Sequence, residues 1–308
     1  MELMPALRDH RRIYRDFFYA YPVISRRSRG VSLGLNLNPD KVCNFDCIYC
    51  EVDRTSPPRR RDVDLGVMAA ELDALIDQWR GGALFADEPF ASAPPEWRRL
   101  NDIAFSGDGE PTTYPRFDDA VEVAWRARER LGDSSVKLVL ITDAACLDRP
   151  AVRRGVLRMA QGAHEIWAKL DAGTEAYYRI VNRTRIPLER VLANITRTAA
   201  EVPVWIQTLF LRVNGAPPSN AEVDAYVDRL AEIQRGGGKL LGIQLYTVAR
   251  PTPESWATAL SDAEVDTLAA RVARESGLPV ETFHGNGTSR ADGGAEPATP
   301  SQPAPPFA

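Results

Sequence analysis

The sequence predicts an α/β fold on a mainly parallel sheet, and three observations carry that expectation. Short apolar runs alternate with stretches of helical periodicity, and the alternation repeats six times along the chain. Successive runs are far enough apart for a crossover helix, which parallel neighbours require and antiparallel ones do not. With 308 residues, 44% of them apolar and 26% charged, the chain can bury a sizeable core in one domain. Six units are fewer than the eight of a closed TIM barrel. Periodicity therefore leaves an open barrel arc and a doubly wound sheet as alternatives, both with the functional site at the carboxyl ends of the strands.

The first strand is "VSLGLNL" at 31 to 37, followed by a cysteine-bearing loop and a helix at 65 to 80. A Pro-rich surface loop through "EPFASAPPEW" leads to strand "DIAFSG" at 102 to 107 and helix "FDDAVEVAWRARERL". Next come the short buried strand "VKLVLIT" at 136 to 142, a helix at 151 to 160, and strand "EIWAKLDA" at 165 to 172. Helix 188 to 200, strand "VPVWIQTLFLR" at 202 to 212, helix 221 to 235 and strand "LLGIQLYTV" at 240 to 248 continue the series. The amphipathic "DAEVDTLAARVARES" closes it as a helix. We place one domain over 1 to 284. From 285 the tail holds four Gly and five Pro with few large apolar residues, so disorder is expected over 285 to 308.

A net charge of -4 gives the whole molecule no strong pull on nucleic acid. No apolar run approaches the roughly 18 residues of a membrane span, and "MELMPALRDHRR" lacks the apolar centre of a signal peptide. A cytoplasmic location without a membrane partner is expected. Two Arg clusters, at 26 to 29 and 59 to 61, bracket the cysteine loop and read equally as solvated surface or as an anion-binding rim.

Three of the four cysteines fall within "KVCNFDCIYCE" at 41 to 51. Disulfides need pairs and an oxidising compartment, and neither is indicated. Structural zinc needs four donors, but only Cys146, His10, His164 and His284 remain, none at finger-like spacing. Thiolates also suit iron–sulfur clusters, which usually take four cysteines. Three leave one iron of a four-iron cluster open to a group that is not protein.

The C-x-x-x-C-x-x-C loop with Phe45 and Tyr49, together with "FSGDGEPT" after the next strand, resembles the radical S-adenosylmethionine (AdoMet) superfamily. "SRRSRGVSLGLN", "KLDA", "IQTL" and "QLYTVARP" extend the likeness over roughly residues 19 to 253, toward the branch that forms the wyosine base of tRNA and its bacterial relatives. The resemblance implies an open partial (β/α)6 TIM-like barrel of the radical AdoMet type. It also implies a 4Fe–4S cluster on Cys43, Cys47 and Cys50, with AdoMet chelating the unique iron. One electron from a donor such as flavodoxin or ferredoxin then cleaves the sulfonium, and the 5′-deoxyadenosyl radical takes a hydrogen from the substrate.

The same resemblance assigns the AdoMet site. Gly107, Asp108, Gly109 and Glu110 stand where a "GGE"-like segment binds the methionine amine, with Glu110 as the acid. Tyr49, Thr142 and Gln207 join as cofactor contacts, Gln207 being, with Gln244 on the next strand, a weaker candidate. Lys169 and Asp171, two apart on a strand, are expected on one face, the first for the methionine carboxylate and the second for ribose or substrate. Asp143 replaces an amide expected from relatives, and a carboxylate there would repel the methionine carboxylate. Cys146 reads as a small buried hydrophobe, and His164 lies at the end away from the chemistry. The first 42 residues contain none of the extra cysteines of the wyosine enzymes. The substrate, anionic or tRNA, stays unidentified. Two other functions remain: a tRNA-modifying enzyme related to wyosine formation, and a non-catalytic iron–sulfur redox sensor.

Overall fold

The computed structural model describes residues 12, 14–25, 28–250 and 252–285. The expected tail disorder therefore lies outside the described residues beyond Gly285, as do Arg26, Arg27 and His10. Ten strands run in chain order: β1 (Ala20–Ser25), β2 (Gly30–Leu35), β3 (Leu100–Phe105), β4 (Lys137–Thr142), β5 (His164–Lys169), β6 (Val204–Leu209), β7 (Arg212–Val213), β8 (Leu240–Tyr246), β9 (Ala257–Thr258) and β10 (Val280–Phe283). The helices are α1 (Leu65–Arg80), α2 (Phe117–Leu131), α3 (Pro150–Met159), α4 (Glu175–Val181), α5 (Leu188–Glu201), α6 (Asn220–Arg235) and α7 (Asp262–Ser276).

Eight strands form one sheet in the order β1-β2-β3-β4-β5-β6-β8-β10, while β7 and β9 pair separately. All neighbours from β2 to β10 are parallel, and only β1 runs antiparallel, against β2. A doubly wound sheet reverses its strand order at a switch point. Here the order never reverses, so consecutive crossovers lay the helices side by side along one face, and the sheet curls into an arc that does not close. That decides between the two architectures left open by periodicity.

Alternation along the strands builds two faces. Val31, Leu33 and Leu35 of β2, Ile103 and Phe105 of β3, and Leu138 and Leu140 of β4 pack under the helices, in one core with Leu72, Leu75, Phe117 and Val121. The opposite, concave face carries Ser32, Asp102, Lys169 and Gln207, with Ala104, Val139 and Trp167 as a small apolar cluster between them. The expected helices at 65 to 80, 117 to 131 and 262 to 276 match their observed bounds. Asp64 caps α1 through Gly66 N and Val67 N, and Ser261 with Glu264 forms a capping box on α7.

Five elements escaped the sequence reading, among them the two-residue strands β7 and β9. β1 contains Pro22, which demotes a run as strand evidence and is tolerated here because β1 is an edge. β10 is only four residues long, and α4 only seven. The Pro-rich connection before β3 folds as three short 3-10 turns.

Candidate functional site

The cysteine loop leaves the carboxyl end of β2 and is held from two sides. On one side its start, Asn36 to Val42, lies against the end of β3: Asn36 Nδ2 donates to Asp108 Oδ2 at 2.8 Å, and Asn36 Oδ1 accepts from Asp108 N at 3.1 Å. A Cβ on Gly107 would stand 2.3 Å from Asn36 Oδ1, and one on Gly109 2.3 Å from Val42 O. Neither glycine has a positive φ. Both are therefore required by the close approach of the cysteine loop itself.

On the other side the C-terminal end of α4 supports the motif. Ile48 N donates to Val181 O at 2.9 Å and Asp46 N to Asn182 O at 3.2 Å. Phe45 meets the Tyr178 ring edge-on at 5.8 Å. Asn182 Nδ2 donates to Cys47 Sγ at 3.5 Å and to Asp171 Oδ2 at 2.9 Å. Asn182 carries no motif that marks it, because only the folding of α4 back onto the loop brings it there.

Cys43, Cys47 and Cys50 line one cavity of about 390 Å³, at the carboxyl ends of the strands. Burial pushes the Cys43 thiol up to about 11 and the Cys47 thiol up to about 12. Metal binding there would release protons, since thiolate is the ligand form. Among the described residues no three His, Cys, Asp or Glu side chains converge on a single ion. The thiols thus share a cavity without forming a mononuclear centre, whereas cluster ligation puts each sulfur on a different iron. Cys146 is buried outside the cavity wall, and His164 accompanies Gly162 O at the opposite end of β5.

Glu110 is buried and lines the same cavity. Its Oε1 accepts from Thr112 N at 3.1 Å, Thr112 Oγ1 at 2.5 Å and Thr142 Oγ1 at 2.6 Å, and its Oε2 accepts from Asp143 N at 2.7 Å. Thr142 in turn accepts from Ala144 N at 3.0 Å. Asp143 lies beside them in the wall, with Oδ1 accepting from Ala145 N at 2.9 Å and Oδ2 buried without a partner. Burial raises both carboxyls above their ordinary values, Asp143 strongly, with the charge of Glu110 adding to it.

Lys169 closes β5 and lines the cavity, its Nζ 5.4 Å from the centre of the Tyr49 ring. Burial works against its charge, but Tyr246, Asp171 and the Cys47 and Cys50 thiols outweigh it, so its pKa is raised. Asp171 lies past the strand end, and the expected shared face does not reach it. It is outside the cavity wall and accepts from Tyr49 OH, Asn182 Nδ2 and Leu209 N. Gln207 lines the cavity and donates to Gln244 Oε1 at 2.9 Å, while Gln244 stays behind it.

The Arg cluster at 59 to 61 does not line the cavity. Arg59 and Arg60 stack on Phe18 at 5.1 and 5.2 Å. The guanidinium groups that do line it are Arg12, 3.4 Å from Asp108, Arg54, whose Nη2 is 3.7 Å from Cys50 Sγ, and Arg250, paired with Glu51. Sequence reasoning named none of the three as site residues: Arg54 follows the cysteine motif and Arg250 sits within "QLYTVARP", but their reach to the cavity depends on how distant segments pack.

Deeper in the cavity Asp102 of β3 accepts from Ser32 Oγ of β2. Burial pushes its carboxyl up to about 6, against an unperturbed 3.8, with the Ser32 hydrogen bond pulling the other way. The folded chain therefore holds this proton more tightly than the unfolded one, and stability falls as pH rises from about 4 to about 6. Asp102→Asn keeps an oxygen for Ser32 and removes the buried charge. It is expected to gain up to about 3 kcal/mol above pH 6 and nothing below pH 4. Urea unfolding near pH 7.5 and near pH 4 measures the difference, and an equal gain at both would refute the charge as its cause.

No protein-family model matches the chain. A UPF0026 protein of Methanocaldococcus jannaschii is 28% identical over 173 residues, 56% of this chain and 46% of that protein. A protein named GTPase Obg of Brachyspira hyodysenteriae is 23% identical over 255 residues, 80% of this chain and 32% of that protein. The chain thus spans less than half the length of these relatives. Among solved structures, a radical SAM (AdoMet) methyltransferase from Sphaerobacter thermophilus superposes with a TM-score of 0.59 at 17% identity, over 86% of this chain and 69% of that one. TYW1 with a lysine–pyruvate adduct bound gives a TM-score of 0.51 at 17% identity, over 80% and 74%. The fold is the open, partial TIM-like barrel of radical AdoMet enzymes, and the resemblance read from the motifs extends to the architecture.

Proposed function

We propose, from the radical AdoMet type of barrel, that this chain is an enzyme binding one 4Fe–4S cluster through Cys43, Cys47 and Cys50 and AdoMet beside it. The observation that carries the reading is the placing of three soft donors in one cavity at the carboxyl ends of the barrel strands, with the unpartnered Asp143 Oδ2 in the same wall. When bound, the cluster would supply the single electron that cleavage of the AdoMet sulfonium needs, and AdoMet would supply the hydrogen-abstracting group.

The chain's own residues orient and enclose. Lys169 offers a cation to the methionine carboxylate, and Gln207 and Thr142 present polar atoms along the wall. Ile141, Trp167 and Leu209 line the cavity with apolar surface that excludes water from a reactive species. The electron comes from a separate low-potential donor of the flavodoxin or ferredoxin kind. The unidentified substrate enters past Arg54, which has no carboxylate partner among the described residues and suits an anionic group.

Anaerobic reconstitution followed by dithionite and AdoMet is expected to release 5′-deoxyadenosine, measured by chromatography. A protein that fills with cluster yet never cleaves AdoMet would instead be an iron–sulfur sensor. Among the described residues no helix is long and apolar enough to cross a membrane.

A further inference from the structure

We infer that Asp102, on the floor of the cavity, is a substrate-binding residue, and that the substrate presents an ammonium group to it. The inference rests on the reading above, in that the molecule anchored there is the one whose hydrogen is taken at the strand ends.

Asp102 lies three residues short of the end of β3 at Phe105, roughly 10 Å below it at about 3.3 Å per residue. It is 5% exposed and lines the cavity with its cross-strand partner Ser32 and with Ser25 of β1. Ser32 Oγ gives the carboxylate one hydrogen bond, to Oδ1. The Ser28 hydroxyl stands close enough to favour the charge yet forms no hydrogen bond, and among the described residues no donor reaches Oδ2. Lys137, the cation that acts on Asp102, is paired with Glu165, so the floor keeps a net negative charge.

Nothing in the fold asks for a carboxylate at 102. An amide there would keep the Ser32 contact and remove a buried charge, so the acid lowers stability without serving packing, as functional residues do. An ammonium supplies what the fold leaves out, a donor for Oδ2 and a compensating charge. A hydroxyl would bring only the first, and an anion neither. The walls above suit a cation too. Tyr21 lies over Gly34, where a Cβ would stand 2.2 Å from the ring, and its OH meets Ser106 Oγ at 2.9 Å. Trp167 leans toward the floor through Nε1, which donates to Glu165 Oε2 at 2.8 Å. Both line the cavity and offer a cation aromatic surroundings. With its nitrogen at Asp102 and the carbon that gives up hydrogen level with the strand ends, the substrate spans roughly 10 Å, so that carbon is several bonds from the nitrogen.

The test titrates the reconstituted holoenzyme in a calorimeter at pH 7.5 with benzylamine and with benzyl alcohol, which match in shape and differ in charge. Wild type is expected to bind benzylamine with a Kd on the order of 1 mM, as so small a fragment allows, and benzyl alcohol about 10-fold or more weakly. Asp102→Asn should weaken benzylamine to the level of the alcohol, while AdoMet affinity changes less than about two-fold. Glu165→Gln, which removes a neighbouring acid outside the cavity wall, should leave the preference for the amine in place. Iron content and circular dichroism check that each variant is folded and loaded, and Asp102→Ser serves if the asparagine variant is not. The inference is overturned by equal affinity of wild type for the two probes, by no benzylamine binding up to about 10 mM, or by a full preference in Asp102→Asn. A parallel loss of AdoMet in that variant, or an equal loss of amine in Glu165→Gln, overturns it too. A loaded wild type that binds benzylamine through Asp102 but does not bind AdoMet leaves the amine site standing and overturns the radical AdoMet reading alone.

Discussion

Replacing Cys43, Cys47 or Cys50 with Ala is expected to abolish the iron–sulfur absorbance of the reconstituted protein and all release of 5′-deoxyadenosine. The expectation follows from ligand number. Three thiols line the cavity, and among the described residues no other cysteine and no histidine lines it. Two thiolates leave two irons of a four-iron cluster without a protein ligand, and such a cluster is not retained. Cys146→Ala is the control. Its side chain is buried away from the cavity wall, so iron per chain should equal wild type, and the small core gap should cost no more than about 1 to 2 kcal/mol. Full iron in Cys50→Ala, or lost iron in Cys146→Ala, would mean that the ligand set has been misassigned.

Asp171→Ala is expected to have the next largest effect, on stability and on cluster loading together. Its carboxylate gathers three donors from three parts of the chain: Tyr49 OH in the cysteine loop, Asn182 Nδ2 after α4, and Leu209 N at the end of β6. Alanine leaves these buried donors without their acceptor, at about 1 to 3 kcal/mol each, so a loss of about 3 kcal/mol or more is expected. The cysteine loop also loses its latch, and iron per chain should fall although no ligand has been removed. Asp171→Asn retains one acceptor oxygen and should lie between the two. Urea midpoints and iron assays decide the matter, and a variant with both at wild-type values would show that Asp171 holds nothing.

Much of this was legible in the sequence, for local reasons. Period-two and period-3.6 patterns depend only on near neighbours, so the six strand and helix units could be read directly. The cysteine spacing and "SGDGEP" are likewise local, and the fold brings both to one cavity. What depends on distant packing was not readable. Asn182 reaches Cys47 across 135 positions, and Arg12 reaches Asp108 across 96. Asp171 looked like a cavity residue because strand alternation was carried past Lys169, where β5 ends. Gly107 and Gly109 were noticed, but the loop that crowds them lies some seventy residues earlier.

The latch at Asp171 also has a consequence in time. Tyr49 lies 122 positions before Asp171, and Leu209 a further 38 after it. During synthesis the three cysteines emerge early, yet the strand that completes their support is made about 160 residues later, on the order of ten seconds or more at ordinary elongation rates. Throughout that interval the thiols are exposed on an unfinished sheet, open to oxidation and to stray metal ions. Cluster delivery therefore suits a finished chain better than a nascent one. A cell making this protein must keep those thiols reduced until the last strands of the arc are in place.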